Sequence, residues 1–286
     1  GLAIAYGLSY APLVIISSAV VGALGYQFGG PVGAYLAVIL GSEIGMLVSK
    51  KTPIDIIITP LVTIITGSLF AKYCCSPIND FMMYLGSLIN SATMLSPFLM
   101  GITVSVLVGC ALTLPISSVA ICVMLGIDGL AAGAATAGCC AQMIGFAVMS
   151  FKENRFGGLL SQGLGTSMLQ MPNIVKNPFI WLPAIITSAI TGPLATCLFK
   201  MEMNGAAVSS GMGTCGLVGQ IGVITGWFAP SEAAIKNGAV AISPNFMDWL
   251  GLILICFVLP AVLTWAIGLL FRKFNLIKEG DLLLEQ

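Results

Sequence analysis

The chain has 286 residues, of which 58% are hydrophobic and only 8% are charged, and its mean hydropathy is +1.04. Charged residues make up about a quarter of a soluble domain, so this composition excludes a soluble globular protein and indicates an integral membrane protein. The net charge is zero and histidine is absent, which excludes an imidazole base, a histidine metal site and a basic nucleic-acid surface.

The nine cysteines lie mostly within apolar runs, and none has the Cys-X-X-Cys spacing of a metal or redox site. We interpret them as small buried apolar residues. We therefore expect neither a metal site nor another cofactor. Because the chain has no basic surface, we also expect no nucleic-acid partner.

About 20 apolar residues are needed to cross the hydrocarbon of a bilayer, and this rule predicts spans in chain order. They cover residues 2–26, 34–48, 54–70, 96–112, 117–126, 129–151, 177–199 and 249–271. The fifth is short, and a broken helix is an alternative there. Residues 74–90 have apolar positions at helical spacing and are predicted as a short interfacial helix. Asp55, three residues after Thr52, indicates a capping box at the start of the third span.

Two glycine-rich stretches among the later spans share a motif. Residues 157–178 read GGLLSQGLGTSMLQMPNIVKNP, and residues 205–226 read GAAVSSGMGTCGLVGQIGVITG, so GLGT at 163–166 matches GMGT at 211–214. Glycine and proline interrupt the helical hydrogen bonds, and the freed backbone is tolerated at membrane depth only inside protein or beside a water-filled cavity. We therefore predict two re-entrant hairpins of the kind that transporters use to bind solutes.

Basic residues orient the spans. Seven of the eleven lie in three loops, namely Lys50 and Lys51, Lys152 and Arg155, and Arg272, Lys273 and Lys278. The positive-inside rule assigns these loops to the cytoplasm. If the short fifth span crosses, the count of crossings requires the first hairpin to enter from the cytoplasm and the second from outside. The prediction is an all-α polytopic membrane protein with about eight transmembrane helices and two re-entrant hairpins. It forms one domain, 1–286, with N-terminal helices in 1–155 and the hairpin region and last helices in 156–286.

Several segments together resemble a known family. They are KKTPIDIIITPLV, LPISSVAI, the run from GLAAGAATAGCC through the first hairpin to ITGPLAT, and SSGMGTCGLVGQIG. The chain resembles the EIIC-like membrane proteins of the phosphotransferase system, and most closely the branch with perfringolysin-regulator-type proteins of Gram-positive bacteria. This resemblance implies a homodimeric permease-like fold in the bacterial inner membrane, related to sugar permeases that hand substrate to a cytoplasmic phosphorylating subunit.

Neutral polar side chains in and near the hairpins are the candidate solute-binding residues. Amides and hydroxyls offer a sugar-like ligand paired donors and acceptors. The candidates are Gln162, Thr166, Gln170, Asn173, Asn177, Thr214 and Gln220. The alternative is that these groups cap broken helix ends and pair with neighbouring backbone.

Glu43 is weighed separately. It follows Gly41 and Ser42 near the cytoplasmic end of the second span. A carboxylate inside a membrane is energetically costly, so one that is found there usually has a function. A role in a solute cavity or in proton coupling and a role as a structural partner both remain open.

Two functions follow. The first is a membrane permease component that binds and translocates a small neutral solute, for which a carbohydrate is expected, with possible coupling to cytoplasmic phosphotransferase subunits. The second is a membrane-embedded sensor or regulator that has kept the fold and lost transport. The chain offers no catalytic group of its own, so any enzymatic role is that of a membrane subunit. Its expected partners are a sugar-like solute, the lipid bilayer and a second copy of itself.

Overall fold

A computed structural model describes residues 1–52, 54–75, 77, 80, 84 and 95–284. Within these ranges the regular structure is helical, without strands. The helices are α1 (Leu2–Gly7), α2 (Pro12–Val48), α3 (Asp55–Cys74), α4 (Pro97–Thr113), α5 (Ser118–Leu125), α6 (Gly129–Met149), α7 (Phe151–Leu160), α8 (Met171–Lys176), α9 (Leu182–Pro193), α10 (Val218–Phe228), α11 (Glu232–Lys236), α12 (Phe246–Ile253) and α13 (Leu259–Lys273). Contacts divide the chain into two compact units, Gly1–Leu85 and Gly86–Gln286. Most of the predicted interfacial helix, 74–90, lies outside the described residues.

The membrane spans predicted from composition agree with the helices. Among the described residues, five helices are long and apolar enough to cross a membrane: Pro12–Gly29, Asp55–Cys74, Gly129–Met149, Pro178–Leu198 and Phe246–Lys273. Three shorter apolar helices accompany them: Gly33–Val48, Pro97–Thr113 and Cys215–Phe228. The prediction of an all-α polytopic membrane protein is therefore confirmed.

The first unit is a packed pair of antiparallel segments joined to α3. Helix α2 is 37 residues long, yet the backbone N–H of Ala11 lies 3.2 Å from the sulfur of Met46. Straight helix between those residues would separate them by about 50 Å at 1.5 Å per residue, so α2 doubles back. An added Cβ at Gly25 would lie 2.8 Å from the Cα of Ala34, which brackets the reversal. The glycine-rich corner predicted at 27–33 is confirmed.

Two details of the first unit differ from the sequence prediction. The first span does not run unbroken from Leu2, because Ser9 has a φ of 56° and a new helix begins at Pro12. Proline at the first position of a helix has no intrahelical N–H to lose, so it is a natural start. The capping box at Asp55 is also wrong, since its Oδ1 accepts from the backbone N–H of Lys50 and the hydroxyl of Thr59.

The second unit is built around α6, in which 17 of the 21 residues are buried. Its 21 residues span about 32 Å, close to the thickness of a bilayer's hydrocarbon. Small residues allow α4 and α9 to approach its backbone. An added Cβ at Gly138 of α6 would lie 1.9 Å from the carbonyl oxygen of Ser105 on α4. Helix α9 approaches α4 as closely, because an added Cβ at Gly192 of α9 would lie 2.0 Å from the carbonyl oxygen of Gly101.

The short fifth span is a broken crossing. Gly109 of α4 packs against Gly138 of α6, and Thr113 bonds to Gln142, so α4 and α6 run in the same direction. The chain must therefore return between them, over residues 114–128. Helix α5 has only eight residues, about 12 Å, and extended backbone at Leu114 and Ser117 precedes it. The alternative of a broken helix is the one that the structure adopts.

The C-terminal tail folds back onto the C-terminal end of α6. Leu282 is fully buried in a cluster with Phe146, Met149 and Ile174. The side chain of Asn154 donates to the carbonyl of Leu282 at 2.7 Å and accepts from the backbone N–H of Leu284 at 2.9 Å. Both apolar contacts and hydrogen bonds therefore hold the tail.

We expect Leu282→Ala to lower the free energy of unfolding by about 2 to 5 kcal/mol, because it removes a fully buried side chain and leaves a cavity. Leu283→Ala is the matched control. Its side chain is 52% exposed, so the loss should stay within about 0.5 kcal/mol. Thermal unfolding of both variants in the same detergent measures the difference. Equal melting temperatures would contradict a docked tail.

Candidate functional site

The first predicted hairpin enters the second unit from the end of α6 at Met149. Helix α7 is followed by a π turn at Ser161–Gly165, and Thr166 is extended with φ −158° and ψ 141°. At this depth the hydroxyl of Ser167 lies 2.9 Å from that of Thr113. The chain then turns back through a 3-10 turn and α8, which lie against the C-terminal tail. The predicted interruption of helix at the GLGT motif is confirmed.

The second predicted hairpin enters from the opposite end of α6, at Gly129. The backbone N–H of Met203 donates to the carbonyl of Gly129 at 3.1 Å. The chain then descends until Gly213, with a φ of 55°, lies against Cys139 in the middle of α6. Helix α10 carries it back, and Gly226 packs on the backbone of Asn204. The two hairpins therefore enter from opposite ends, as predicted.

The tips of the two hairpins meet. The hydroxyl of Thr214 donates to the carbonyl of Gly163 at 2.6 Å, and both residues are buried. Thr214 ends the GMGT motif and Gly163 begins the GLGT motif, so the repeated sequence marks the junction. A buried carbonyl outside regular helix needs such a partner. We call this contact the hairpin junction.

Three of the predicted binding amides form a buried ladder beneath the junction. The amide nitrogen of Gln170 donates to the side-chain oxygen of Gln162 at 2.9 Å, and that of Asn173 donates to the oxygen of Gln170 at 2.9 Å. The same nitrogens reach the carbonyls of Leu282 and Leu283 at 3.0 and 2.9 Å. The ladder thus ties the first hairpin to the C-terminal tail. The three amide nitrogens of the ladder therefore pair within the protein.

Asn177 also bonds to the C-terminal tail. Its amide nitrogen donates to the carbonyl of Leu276 at 2.9 Å and to the carboxylate of Asp281 at 2.7 Å. Its side-chain oxygen caps the turn at Phe179. Asn177 therefore lies at the mouth of the first hairpin, away from the junction.

Gln220 and Thr166 have hydrogen-bonding capacity left. Gln220 is only 5% exposed, and its nitrogen lies 3.2 Å from the sulfur of Cys140, whereas its oxygen has no hydrogen-bond partner among the described residues. A buried acceptor without a partner is costly, which points to a missing donor. The hydroxyl of Thr166 is half-buried, and within the part of the chain that the structure describes it bonds only to the backbone N–H of Met168, from which it accepts at 3.1 Å.

A cleft of about 450 Å³ opens on the outer side of the first hairpin. It is lined by Thr166, Met168, Leu169, Pro172 and Asn173. This volume is in the range of small-molecule sites, and the lining is mainly apolar with two neutral polar side chains. Of the predicted residues, the structure brings Thr166 and Asn173 together at this cleft.

Glu43 belongs to the first unit, where it is exposed and accepts a hydrogen bond from the hydroxyl of Tyr10. Tyr10 lies just before the first arm of the doubled-back α2, and Glu43 lies in its second arm. The bond is therefore a local tie within the first unit. The structure does not bring Glu43 into contact with the other predicted residues.

Gln142 was not among the predicted binding residues, yet it connects three elements. Its oxygen accepts from Thr113 of α4 at 3.2 Å and from the indole N–H of Trp181 at 2.9 Å, and its nitrogen lies 3.4 Å from the hydroxyl of Ser188. It is fully buried. Its position within a helix of small residues is the signal in the sequence, since such helices pack closely and an amide there finds partners on neighbours.

The fold is that of a polytopic helical membrane protein in which two interrupted hairpins meet inside a bundle. The family model for "Phosphotransferase system, EIIC" matches residues 1–284, which is nearly the whole chain and runs through both units. The chain therefore belongs to the EIIC family, the membrane components of the phosphotransferase system. No curated protein and no solved structure matches it.

Proposed function

We propose that this chain is the solute-binding permease component of a phosphotransferase system, and that it moves a small neutral solute past the hairpin junction. The observation that carries the proposal is the meeting of two interrupted hairpins from opposite ends of α6, at the Thr214 to Gly163 hydrogen bond. Membrane proteins tolerate such backbone where it serves a binding cavity. Movement of either hairpin would break the contact and open the junction toward one end.

The chemistry of the cleft supports a neutral, polar solute. The lining residues of the cleft carry no charge, and Thr166 provides a hydroxyl. Asn173 adds a neutral amide, although its nitrogen is already paired with Gln170 and Leu283. The unpaired oxygen of Gln220 provides an acceptor near the tip of the second hairpin. Gln220 bonds to Cys140, and Gly213 at the tip packs on the same residue. A carbohydrate or polyol matches neutral donors and acceptors of this kind. Since the chain has no histidine, a phosphoryl group would come from another subunit.

A regulatory role is the second candidate, and the amide ladder is the observation that favours it. Gln162, Gln170 and Asn173 are occupied by one another and by the tail carbonyls. A hairpin held in this way can report solute binding through the tail without transport. The bacterial inner membrane and a homodimer remain parts of the proposal for either role.

A solute screen tests the proposal. We expect a sugar or polyol to raise the melting temperature of the detergent-purified protein by mass action, and Thr166→Val to weaken this shift because the cleft loses its hydroxyl. Thr225→Val is the matched control, since its exposed hydroxyl bonds only within α10. Uptake of the same solute into proteoliposomes, with its phosphotransferase subunits, separates the two roles. Binding without uptake supports a regulator. No shift with any solute would contradict both.

A further inference from the structure

A second cavity lies at the C-terminal end of α6, apart from both hairpin tips. Its volume is about 630 Å³, and it lies between the C-terminal ends of α6 and α13, the first half of α7 and the start of the tail. Its apolar wall includes Val148, Trp265 and Leu269. Its rim carries four basic side chains, which are Lys152, Arg155, Arg272 and Lys278. One cavity thus joins an apolar surface to a cluster of positive charge.

Half of that charge is already compensated. Arg272 forms an ion pair with Glu153 at 2.7 Å, and Lys152 pairs with Glu279. The hydrogen bond from Lys152 holds the pKa of the Glu279 carboxyl below its usual value, so this carboxyl stays ionised at neutral pH. Arg155 and Lys278 have no ion pair or side-chain hydrogen bond within the described part of the chain. Two unneutralised cations therefore share the rim.

The backbone at Arg155 is unusual. Its φ of 52° and ψ of −150° lie in a region that only glycine adopts readily. This conformation kinks α7 at the rim of the cavity. Strained backbone is common at binding sites, so the conformation of Arg155 is compatible with a role in binding rather than in stability.

The apolar wall of the cavity is exposed on a helix with the composition of a membrane span. Trp265 is 52% exposed and Leu269 is 46% exposed, on a helical segment that is apolar enough to span a bilayer. The basic rim lies at the end of the same segment, where the interface with lipid headgroups would be. A ligand that fills this cavity must therefore be anionic at one end and apolar at the other.

We propose that this cavity binds an anionic phospholipid, with its phosphate between Arg155 and Lys278 and an acyl chain along Trp265 and Leu269. Basic pockets between membrane helices hold anionic headgroups by the same combination of charge and apolar contact. This site is separate from the proposed solute cleft, and shares no lining residue with it. A lipid bound there would make the positions of the first hairpin's mouth and of the tail depend on the lipid composition of the membrane.

Lipid binding to the full-length protein tests the proposal. Delipidated protein in detergent is titrated with fluorescent phosphatidylglycerol and, separately, with phosphatidylcholine. We expect phosphatidylglycerol to bind more tightly, and the Arg155→Gln, Lys278→Gln double variant to weaken it about 25-fold, which is roughly fivefold for each cation removed. The control, Lys236→Gln with Lys273→Gln, removes the same charge from residues that do not line the cavity. It should change the affinity less than twofold.

A second variant separates a lipid from a free anion. Trp265→Ala should weaken phosphatidylglycerol and leave the weak competition by inorganic phosphate unchanged, because it removes only the apolar wall. Both double variants should keep the wild-type melting temperature, since none of their four side chains has a described partner. Equal affinity for the two lipids, equal effects of the two double variants, or inorganic phosphate that binds as well as the lipid would each overturn the proposal.

Discussion

Replacing Gly138 by alanine should lower the free energy of unfolding by about 3 kcal/mol or more, at the upper end of the cost of overpacking. The added methyl group would lie 1.9 Å from the carbonyl oxygen of Ser105 and 2.5 Å from its carbonyl carbon. These are backbone atoms of α4, which cannot rotate away. Helices α4 and α6 would have to separate, and the bond of Gln142 to Thr113 would lengthen with them.

Gly157→Ala is the control for this prediction. Gly157 also lies in a helix, but nothing lies within 4 Å of the position that its Cβ would take. Alanine there should be neutral or stabilise by up to about 1 kcal/mol, because it restricts the unfolded chain. Thermal unfolding and the elution profile in detergent measure both variants. If Gly138→Ala unfolds at the same temperature as Gly157→Ala, the close approach of α4 and α6 is wrong.

The second large effect is expected at the tip of the second hairpin. Gly213→Ala would place a Cβ in a left-handed conformation and within 2.7 Å of the Cβ of Cys139. The conformational cost is about 1 to 2 kcal/mol, and the overlap adds about 1 to 3 kcal/mol. The tip should withdraw from α6 and break the bond from Thr214 to Gly163. We expect both a lower melting temperature and the loss of any stabilisation by a bound solute.

Gly216→Ala separates these two costs. Gly216 has a φ of 52°, close to that of Gly213, but the nearest atom to an added Cβ is 3.8 Å away, on Val218. It should therefore show only the conformational cost and keep the solute response. The same thermal-shift assay serves for both variants. Identical behaviour of Gly213→Ala and Gly216→Ala would mean that the tip does not press on α6.

Much of the architecture could be predicted because its cause is local. The apolar span predicted at 129–151 is the helix α6. The repeated GxGT motif predicted two interruptions of helix, and the charges at Lys152 and Arg272 predicted that their two loops share one side. The structure brings both residues to the rim of one cavity. In each case the chemistry of the residues themselves carried the information.

The candidate site was harder to predict, because the same side chain serves binding or packing according to its partners. Gln170 and Asn173 have the composition of a sugar site, yet the structure pairs them with the tail more than a hundred residues away in sequence. Thr166 and Gln220 looked no different in the sequence, and they keep groups that are free to bind. An unpaired buried oxygen is a property of the folded surroundings alone.

The sequence by itself determined that this protein is an all-α membrane protein with two interrupted hairpins, because hydrophobicity and the conformational limits of glycine and proline act over a few residues. Its resemblance to the EIIC family rested on whole segments of sequence, and the family model confirms it. Only the tertiary structure decided that α4 and α6 run in the same direction, that the hairpin tips meet at Thr214 and Gly163, and that the tail occupies the amide ladder. These outcomes depend on which distant atoms reach hydrogen-bonding distance and on where glycines allow the backbones of two helices to touch. No pattern along the chain records either.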